Sequence, residues 1–191
     1  PVYKIIHKVE PSHRHSFLQS VMIIKSQIDK RGAIIASTDT SMLNYSRDAY
    51  AYCWPRDGAF ALWPLIRMGY KDEAYRFFEF MKKGMHSGGY LFHKYRADGA
   101  LGSSWHSYIH DGIVAPPIQE DETALTLFMF VQYYNLNPDV KLLKDFYHDM
   151  VVPMADFMSE YVDHTTGLPK PSYDPWEETF ITGTYTTATV Y

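Results

Sequence analysis

Segments with helical periodicity, joined alternately by short turns and long loops, constrain the fold of this chain more than any other feature. Apolar residues recur mainly at three- and four-residue spacing in residues 16–30, 57–68, 71–84, 121–134 and 140–161. Gly69 and Asn137-Pro138 end two of these segments. Helices paired antiparallel around a ring alternate their connections in this way, with the long loops at one end. The pattern predicts a mainly α chain, although an ordinary helical bundle would show the same periodicity.

The remaining segments predict shorter elements. Residues 33–36 (AIIA) are rich in β-formers, and residues 85–118 form a long Gly-, Ser- and Tyr-rich loop with short strands expected near Tyr90 and Tyr95. A loop of that length inside a compact domain usually carries function. The segment 140–161 is expected to bend at Pro153, and a further helix is expected from Trp176 onward.

Composition excludes several classes of function. The net charge of −4 argues against nucleic acid as the main partner, because phosphate binding needs a basic face. The single cysteine, Cys53, excludes an intramolecular disulfide framework and a Cys-rich metal site. The sequence contains no run of about 18 apolar residues, so it predicts no membrane-spanning helix. One cysteine and the lack of a signal peptide favour a cytoplasmic protein, while the start at Pro1 instead of Met leaves secretion open.

The octapeptide YAYCWPRD, which begins at Tyr50, is the first cluster of candidate functional residues. Pro55 fixes the chain and Asp57 can cap the helix that follows. Cation–π packing against Trp54 alone would explain Arg56. Together, however, Arg and Asp offer directional hydrogen bonds to vicinal hydroxyls, while Tyr and Trp offer apolar faces. The cluster is therefore compatible with either local packing or a sugar site.

The second cluster is PIQEDETA, which begins at Pro117. Three consecutive acids at a helix N-terminus are favoured by the helix dipole, so a solvated capping run is the simplest interpretation. Gln119 and Asp121 are expected on alternate sides of an extended segment, so that one of them can face a cleft. Upstream, His106 and His110 have the spacing of a metal pair, but a Gly/Ser-rich loop does not hold helical geometry and no third ligand fits. The sequence predicts no metal and no cofactor.

The third cluster is YDPWEE, in which Glu177 and Glu178 follow Trp176. A carboxyl group against an indole ring can have its pKa raised far enough to serve as a general acid near neutral pH. Neighbouring residues on a helix point about 100° apart, so the two glutamates are expected to have different roles. Two exposed glutamates in a first helical turn are the structural alternative.

Four motifs in this order resemble glycoside hydrolase family 15, the group of glucoamylases, glucodextranases and archaeal and bacterial trehalases. They are WPRD from Trp54, LGSSWH from Leu101, PIQEDETA from Pro117 and WEE from Trp176. The resemblance covers roughly residues 16–191. It implies part, about half, of an (α/α)6 toroid, with long loops and short β-hairpins at the active-site end. It also implies hydrolysis of terminal α-linked glucose with inversion of configuration.

The resemblance also implies roles for individual residues. Glu177 matches the general acid, and Glu178 matches a ligand of a sugar hydroxyl on the leaving-group side. Arg56 and Asp57 match the residues that grip the terminal glucose. The other residues expected to contact substrate are Tyr50, Trp54, Trp105, His106, Gln119, Asp121, Asp174 and Trp176.

Residues 1–191 are expected to form one partial domain, the N-terminal half of the catalytic toroid. In the family the general base comes from the second half, and none of Glu120, Asp121 and Glu122 is expected to replace it. The remaining half, supplied by another segment or chain, is therefore a predicted partner, besides the α-glucoside itself. The alternatives are a trehalase of the same family and a non-catalytic carbohydrate-binding α-toroid. An unrelated toroid such as a cyclase would need metal- or cation-stabilising motifs that the sequence does not show.

Overall fold

The computed structural model describes residues 1–38, 50–102 and 107–191 and is mainly helical. In this part of the chain the α-helices are α1 Arg14–Ser26, α2 Pro55–Met68, α3 Lys71–Gly84, α4 Glu120–Leu136, α5 Val140–Phe146, α6 Val152–Glu160 and α7 Thr184–Val190. Short 3-10 turns at Val2–Lys4, Ile6–Lys8 and Pro11–His13 precede α1. The five helical segments that the periodicity predicts are all helical in the structure.

The strands are short and pair antiparallel in three two-stranded ladders. They are β1 Tyr52–Cys53 with β2 Tyr95–Arg96, β3 Ile109–His110 with β4 Ile113–Val114, and β5 Ser172–Tyr173 with β6 Phe180–Ile181. The strand expected at Tyr95 is confirmed, whereas the one expected near Tyr90 is not formed. The AIIA segment forms one isolated bridge, from Ile34 to Ile28, and the N–H of Ala36 at its end donates to the Tyr52 carbonyl at 2.9 Å.

Proline and glycine set the ends of α2 as the sequence predicts. Pro55 occupies the first helical position, where its missing N–H costs no hydrogen bond. Gly69 ends the helix in the left-handed conformation, with φ of +85°. The expected capping role of Asp57 is wrong, because Trp54 is the N-cap residue and no side chain caps the helix by a hydrogen bond.

The predicted long helix over residues 140–161 is present with an irregularity ahead of Pro153. A π-helical turn, Tyr147–Val151, joins α5 to α6. Proline lacks an N–H and clashes with the carbonyl four residues earlier, so a regular α-helical ladder cannot run through it. A wider turn accommodates that interruption. The expected bend therefore appears as a local change of helix type.

The core forms where α2, α3 and α4 pack together. The ring of Phe78 on α3 meets the ring of Phe130 on α4 edge to face, with centroids 5.1 Å apart. Gly58 allows α2 to approach α3, because a Cβ there would lie only 2.6 Å from Phe77 Cε2. Among the described elements, α2 packs most extensively against α4. This packing brings the N-terminal ends of α2 and α4 together.

The outer face of α2 and α4 carries exposed apolar side chains. Phe60 and Trp63 on α2 and Phe128 and Val131 on α4 are exposed, and the rings of Trp63 and Phe128 meet edge to face at 6.1 Å. A groove of about 530 Å³ runs between α2 and the N-terminal turns. None of the described helices combines the length and apolar character that a bilayer crossing requires.

Candidate active site

The candidate site lies where three parts of the chain meet: the start of α2, the start of α4, and the hairpin formed by β5 and β6. Arg56 stands in the first turn of α2 and Asp121 in the first turn of α4. The backbone N–H of Tyr173 in β5 donates to the carbonyl of Ile118, just ahead of α4, at 2.9 Å. The hairpin is thereby fastened to the segment that leads into α4.

The guanidinium of Arg56 is held by buried partners. Its Nη1 donates to Oε1 of Gln119 at 2.7 Å and to Oδ2 of Asp121 at 2.8 Å. Oε1 of Glu122 lies 3.6 Å from the same nitrogen. Burial opposes the charge on Arg56, but Glu122 and Asp121 outweigh it and raise the pKa of Arg56 above its ordinary value. The side chain, 13% exposed, is therefore a fixed cation at the edge of the site.

The three consecutive acids at the start of α4 are all 0% exposed, so the expected solvated capping run is wrong. The reason is that α4 packs against α2 and α7, and its first turn adjoins β5 through the N–H of Glu120 and Oγ of Ser172, instead of facing water. The expectation that Gln119 and Asp121 point to alternate sides is also wrong, since both bond the same nitrogen of Arg56. Their burial does not support the direct sugar contact expected for these two residues.

Burial changes the acidity of these carboxyl groups. It raises the pKa of Glu120 to about 8, and the neighbouring Asp121 adds to that rise. It also raises the pKa of Glu122 well above the usual range, although Arg56 opposes the rise. Among the described residues, the side-chain oxygens of Glu120 and Glu122 have no hydrogen-bond partner. Asp121 is therefore the carboxylate that hydrogen-bonds Arg56, whereas burial favours the neutral form of Glu120.

Glu177 lies in the turn of the β5–β6 hairpin, so the helix expected from Trp176 onward is wrong; α7 begins only at Thr184. The N–H of Glu177 donates to the Asp174 carbonyl at 2.9 Å, and Oδ1 of Asp174 accepts from the N–H of Glu178 at 2.8 Å. The Asp174-Pro sequence explains this outcome. Proline disfavours a helical conformation in the residue before it, and an Asp side chain closes turns through backbone N–H groups.

The carboxylate of Glu177 contacts the start of α2. Nε1 of Trp54 donates a hydrogen bond to Oε1 of Glu177 at 3.3 Å. The indole beside this glutamate is therefore the distant Trp54 and not the adjacent Trp176, whose side chain is 83% exposed. The rings of Tyr50 and Tyr52 lie 5.7 and 5.9 Å from that of Trp54, centroid to centroid. Glu177 thus sits beside an aromatic cluster two residues ahead of Arg56.

Lys94 is a buried cation beneath this aromatic cluster. Its Nζ lies 4.8 Å from the ring of Tyr52 and 5.5 Å from the ring of Trp54, within the range of cation–π attraction. Sequence reasoning missed Lys94 because it stands in the long loop with no flanking motif. The FHKY sequence around it, residues 92–95, carries no spacing that distinguishes a buried lysine from an exposed one.

The long loop also braces the hairpin that carries Glu177. The backbone N–H of Ser107 donates to the hydroxyl of Tyr173 at 2.8 Å. The imidazole of His110 stacks on the ring of Phe180 in β6, with centroids 3.8 Å apart. His110 therefore packs against an aromatic ring, and no cluster of metal-ligating side chains is found in the described part of the chain.

The remaining predicted residues differ in placement. Asp57, Glu178 and Tyr50 are exposed in the described chain, and Asp174 is half-buried. Trp105 and His106 lie outside the described residues. The described site therefore has exposed residues at its rim. Beneath them lie Arg56 and its buried acidic partners.

The comparisons with known proteins concern almost the whole chain. The model of the family described as "Glycosyl hydrolases family 15" matches residues 11–190. No curated protein matches the chain. A solved glycosidase variant with a glutamate-to-alanine substitution is similar with a TM-score of 0.67 and 20% identity, over 91% of this chain and 46% of that one.

Two further solved structures give the same result. A glycosidase variant in complex with glucose has a TM-score of 0.63 and 20% identity, over 86% of this chain and 43% of that one. A wild-type glycosidase has a TM-score of 0.61 and 20% identity, over 85% and 43% of the two chains. This chain thus spans slightly less than half the length of these proteins. The likeness concerns the fold, and the predicted class, a mainly α chain forming part of an α/α toroid, is confirmed.

Proposed function

This chain belongs to glycosyl hydrolase family 15, and on that premise we propose that it carries the acid side of the active site of an inverting α-glucoside hydrolase. Glu177 is the general acid that protonates the glycosidic oxygen. The observation that carries this assignment is the hydrogen bond from Trp54 Nε1 to Glu177 Oε1. It joins the hairpin with the proposed acid to the segment that contains Arg56, the proposed sugar-binding cation.

The rim residues suit contact with a sugar. Tyr50 and Asp57 are exposed beside Trp54 and Arg56, so they can reach a ligand from the side of α2. Because Asp121 pairs with Arg56 from below, the guanidinium is fixed in direction before any ligand arrives. Pre-oriented groups lose little conformational freedom on binding, which favours a defined position of the terminal glucose. Glu178, exposed in the same turn as Glu177, is proposed as a ligand for a hydroxyl on the leaving-group side.

The proposed reaction uses two carboxyl groups on opposite sides of the sugar. Glu177 gives its proton to the glycosidic oxygen as the bond to the anomeric carbon breaks. A carboxylate across the site removes a proton from water, whose oxygen attacks that carbon from the opposite face. After the step Glu177 is ionised, and the indole N–H of Trp54 stabilises the carboxylate by a charge-assisted hydrogen bond.

The general base is proposed to come from the half of the toroid that follows this chain. Inverting enzymes hold their carboxyl groups about 6.5–9.5 Å apart so that a water molecule fits between them and the sugar. Glu120, Asp121 and Glu122 are fully buried, so none of them can place such a water molecule on an open sugar face. We propose accordingly that residues 1–191 form one partial domain, inactive without the second half.

The test uses the complete enzyme with maltose, isomaltose and trehalose, and follows the first glucose released by NMR. We expect β-glucose from the cleaved α-linkage, with Glu177→Gln reducing turnover strongly. α-Glucose formed from the residue whose anomeric bond is cleaved would contradict inversion, whereas the leaving glucose keeps its own anomeric configuration. Cleavage of trehalose alone would assign the family's trehalase activity, and sugar binding without hydrolysis would assign a non-catalytic toroid. Glu160→Gln, an exposed substitution at the end of α6, serves as the control.

A further inference from the structure

The side-chain amide of Gln119 connects the two functional parts of the site. Its Oε1 accepts from Nη1 of Arg56 at 2.7 Å, and its Nε2 donates to the backbone carbonyl of Asp174 at 3.1 Å. The residue is 0% exposed. Both polar ends of the amide are therefore committed to protein partners, and a sugar could bind Gln119 only by displacing one of them.

The carbonyl that Gln119 reaches belongs to the turn that presents Glu177. The N–H of Glu177 donates to this same Asp174 carbonyl at 2.9 Å. Glu177 has φ of +63°, in the left-handed region that residues with a side chain rarely adopt. A backbone conformation of that kind persists only when its surroundings impose it. The amide of Gln119 bonds the Asp174 carbonyl that closes this turn.

Other bonds would keep the hairpin attached if this amide were removed. The N–H of Tyr173 donates to the Ile118 carbonyl at 2.9 Å, and the N–H of Glu120 approaches Oγ of Ser172 at 3.4 Å. A change at Gln119 therefore alters the orientation of the Asp174 carbonyl and of Arg56 without detaching β5 from the start of α4. The effect is local to the acid turn and the guanidinium.

We propose that Gln119 is a positioning residue that fixes Arg56 and the Glu177 turn in one geometry. The glycosidic oxygen of a sugar bound by Arg56 then lies next to the carboxyl group of Glu177. This inference rests on the proposed function, because it assumes that Glu177 donates the proton. It assigns to Gln119 an indirect role in proton donation in place of the direct sugar contact expected from the sequence.

The kinetic test compares two substrates of the complete enzyme. Cleavage of maltose requires protonation of the leaving oxygen, whereas α-glucosyl fluoride releases fluoride ion and depends far less on a general acid. Gln119→Met keeps the length of the side chain and removes both hydrogen bonds. We expect kcat on maltose to fall about ten- to hundredfold, and kcat on the fluoride to fall less than about threefold.

Two further variants keep the test decisive. Thr126→Val alters another buried polar side chain of α4 and should leave the ratio of the two kcat values unchanged. If Gln119→Met does not fold, Gln119→Glu replaces it. That side chain still accepts from Arg56 but donates to the Asp174 carbonyl only when protonated. The kcat of Gln119→Glu on maltose, relative to that of the wild type, should therefore fall further as pH rises.

A spectroscopic measurement separates this inference from the proposed function. The indole ¹H–¹⁵N resonance of Trp54, assigned by its loss in Trp54→Phe, reports the bond to Glu177. We expect Gln119→Met to shift it and Thr126→Val to leave it in place. Equal losses on both substrates, or unchanged kinetics with an unmoved resonance, would overturn the role of Gln119. Normal turnover of maltose by Glu177→Gln would instead overturn the proposed function, whatever the resonance does.

Discussion

Nε1 of Trp54 donates a hydrogen bond to Oε1 of Glu177 at 3.3 Å, across 123 positions of sequence. Trp54 directly precedes α2, and Glu177 lies in the turn between β5 and β6. The bond therefore joins the first and the last of the four motifs that resemble the family. It places the proposed acid beside the segment that carries Arg56, although the two are distant in sequence.

Replacing the donor of this bond should weaken catalysis more than folding. Trp54→Phe keeps an aromatic ring against Tyr50 and Tyr52 but removes the N–H. Because the bond to the carboxylate gains strength as Glu177 ionises, we expect kcat on maltose to fall about tenfold with little change in KM. Steady-state kinetics measure both constants. Trp63→Phe, on the outer face of α2, is the matched control, and an equal fall in that variant would refute the specific role of Trp54.

Removing the buried cation should destabilise the protein. Arg56→Met leaves Asp121 as a buried carboxylate without its partner, and breaking a buried ion pair on one side costs about 3–5 kcal/mol. Denaturant unfolding of the complete enzyme should show a loss of free energy of unfolding of this order. Arg67→Met, at the exposed end of α2, should change it by less than about 0.5 kcal/mol. Similar effects of the two substitutions would contradict the structural importance of the Arg56 pair.

Glu120 should make stability depend on pH. Burial raises its pKa from 4.5 to about 8. Between these values the unfolded chain releases the proton that the folded chain keeps, so the free energy of unfolding falls as pH rises through this window. Glu120→Gln cannot ionise and should flatten that fall, leaving the variant more stable than wild type at pH 8. The melting temperature across pH 4–9 measures this.

The control for that prediction is Glu160→Gln, which alters an exposed carboxyl at the end of α6. Its melting temperature should depend on pH with the same slope as that of the wild type. Glu122, whose pKa burial also raises, should contribute the slope that remains in Glu120→Gln. A pH dependence of melting identical in Glu120→Gln and wild type would show that Glu120 is not held neutral in the folded chain.

The turn that presents Glu177 should depend on the side chain of Asp174. Its Oδ1 accepts from the N–H groups of Glu178 and Thr179, each at 2.8 Å. Asp174→Ala removes both bonds and should lower kcat on maltose about tenfold through misplacement of the acid. Asp174→Asn retains an acceptor oxygen at that position, so its kcat on maltose should fall much less. If the two variants lose activity to the same extent, the carboxylate acts through its charge and not through the turn.

The helical part of the fold could be predicted from sequence because its signals are local. Apolar periodicity, Pro55 at a helix start and Gly69 at a helix end depend on neighbours a few residues away, and α2 and α3 appear where those signals place them. The irregular turn ahead of Pro153 likewise follows from the chemistry of one residue. The family motifs extended this prediction to the toroid and to the segments that meet at the site.

The geometry of the site could not be predicted in the same way. A run of three acids looks solvated until α2 and α7 pack against α4, and burial depends on such contacts distant in sequence. The pair Glu177-Glu178 reads as a helix start, but the bonds of Asp174 close a hairpin turn there instead. The indole beside Glu177 proved to be that of Trp54, whose proximity no local pattern encodes.

The most direct test of the central claim, that Glu177 is the proton donor, measures kcat of Glu177→Gln on maltose and on α-glucosyl fluoride with the complete enzyme. Glutamine keeps the shape of the side chain but has no proton to give. We predict that kcat on maltose falls at least about a hundredfold while kcat on the fluoride stays within about tenfold of wild type. Equal losses on the two substrates, or undiminished turnover of maltose, would contradict the account.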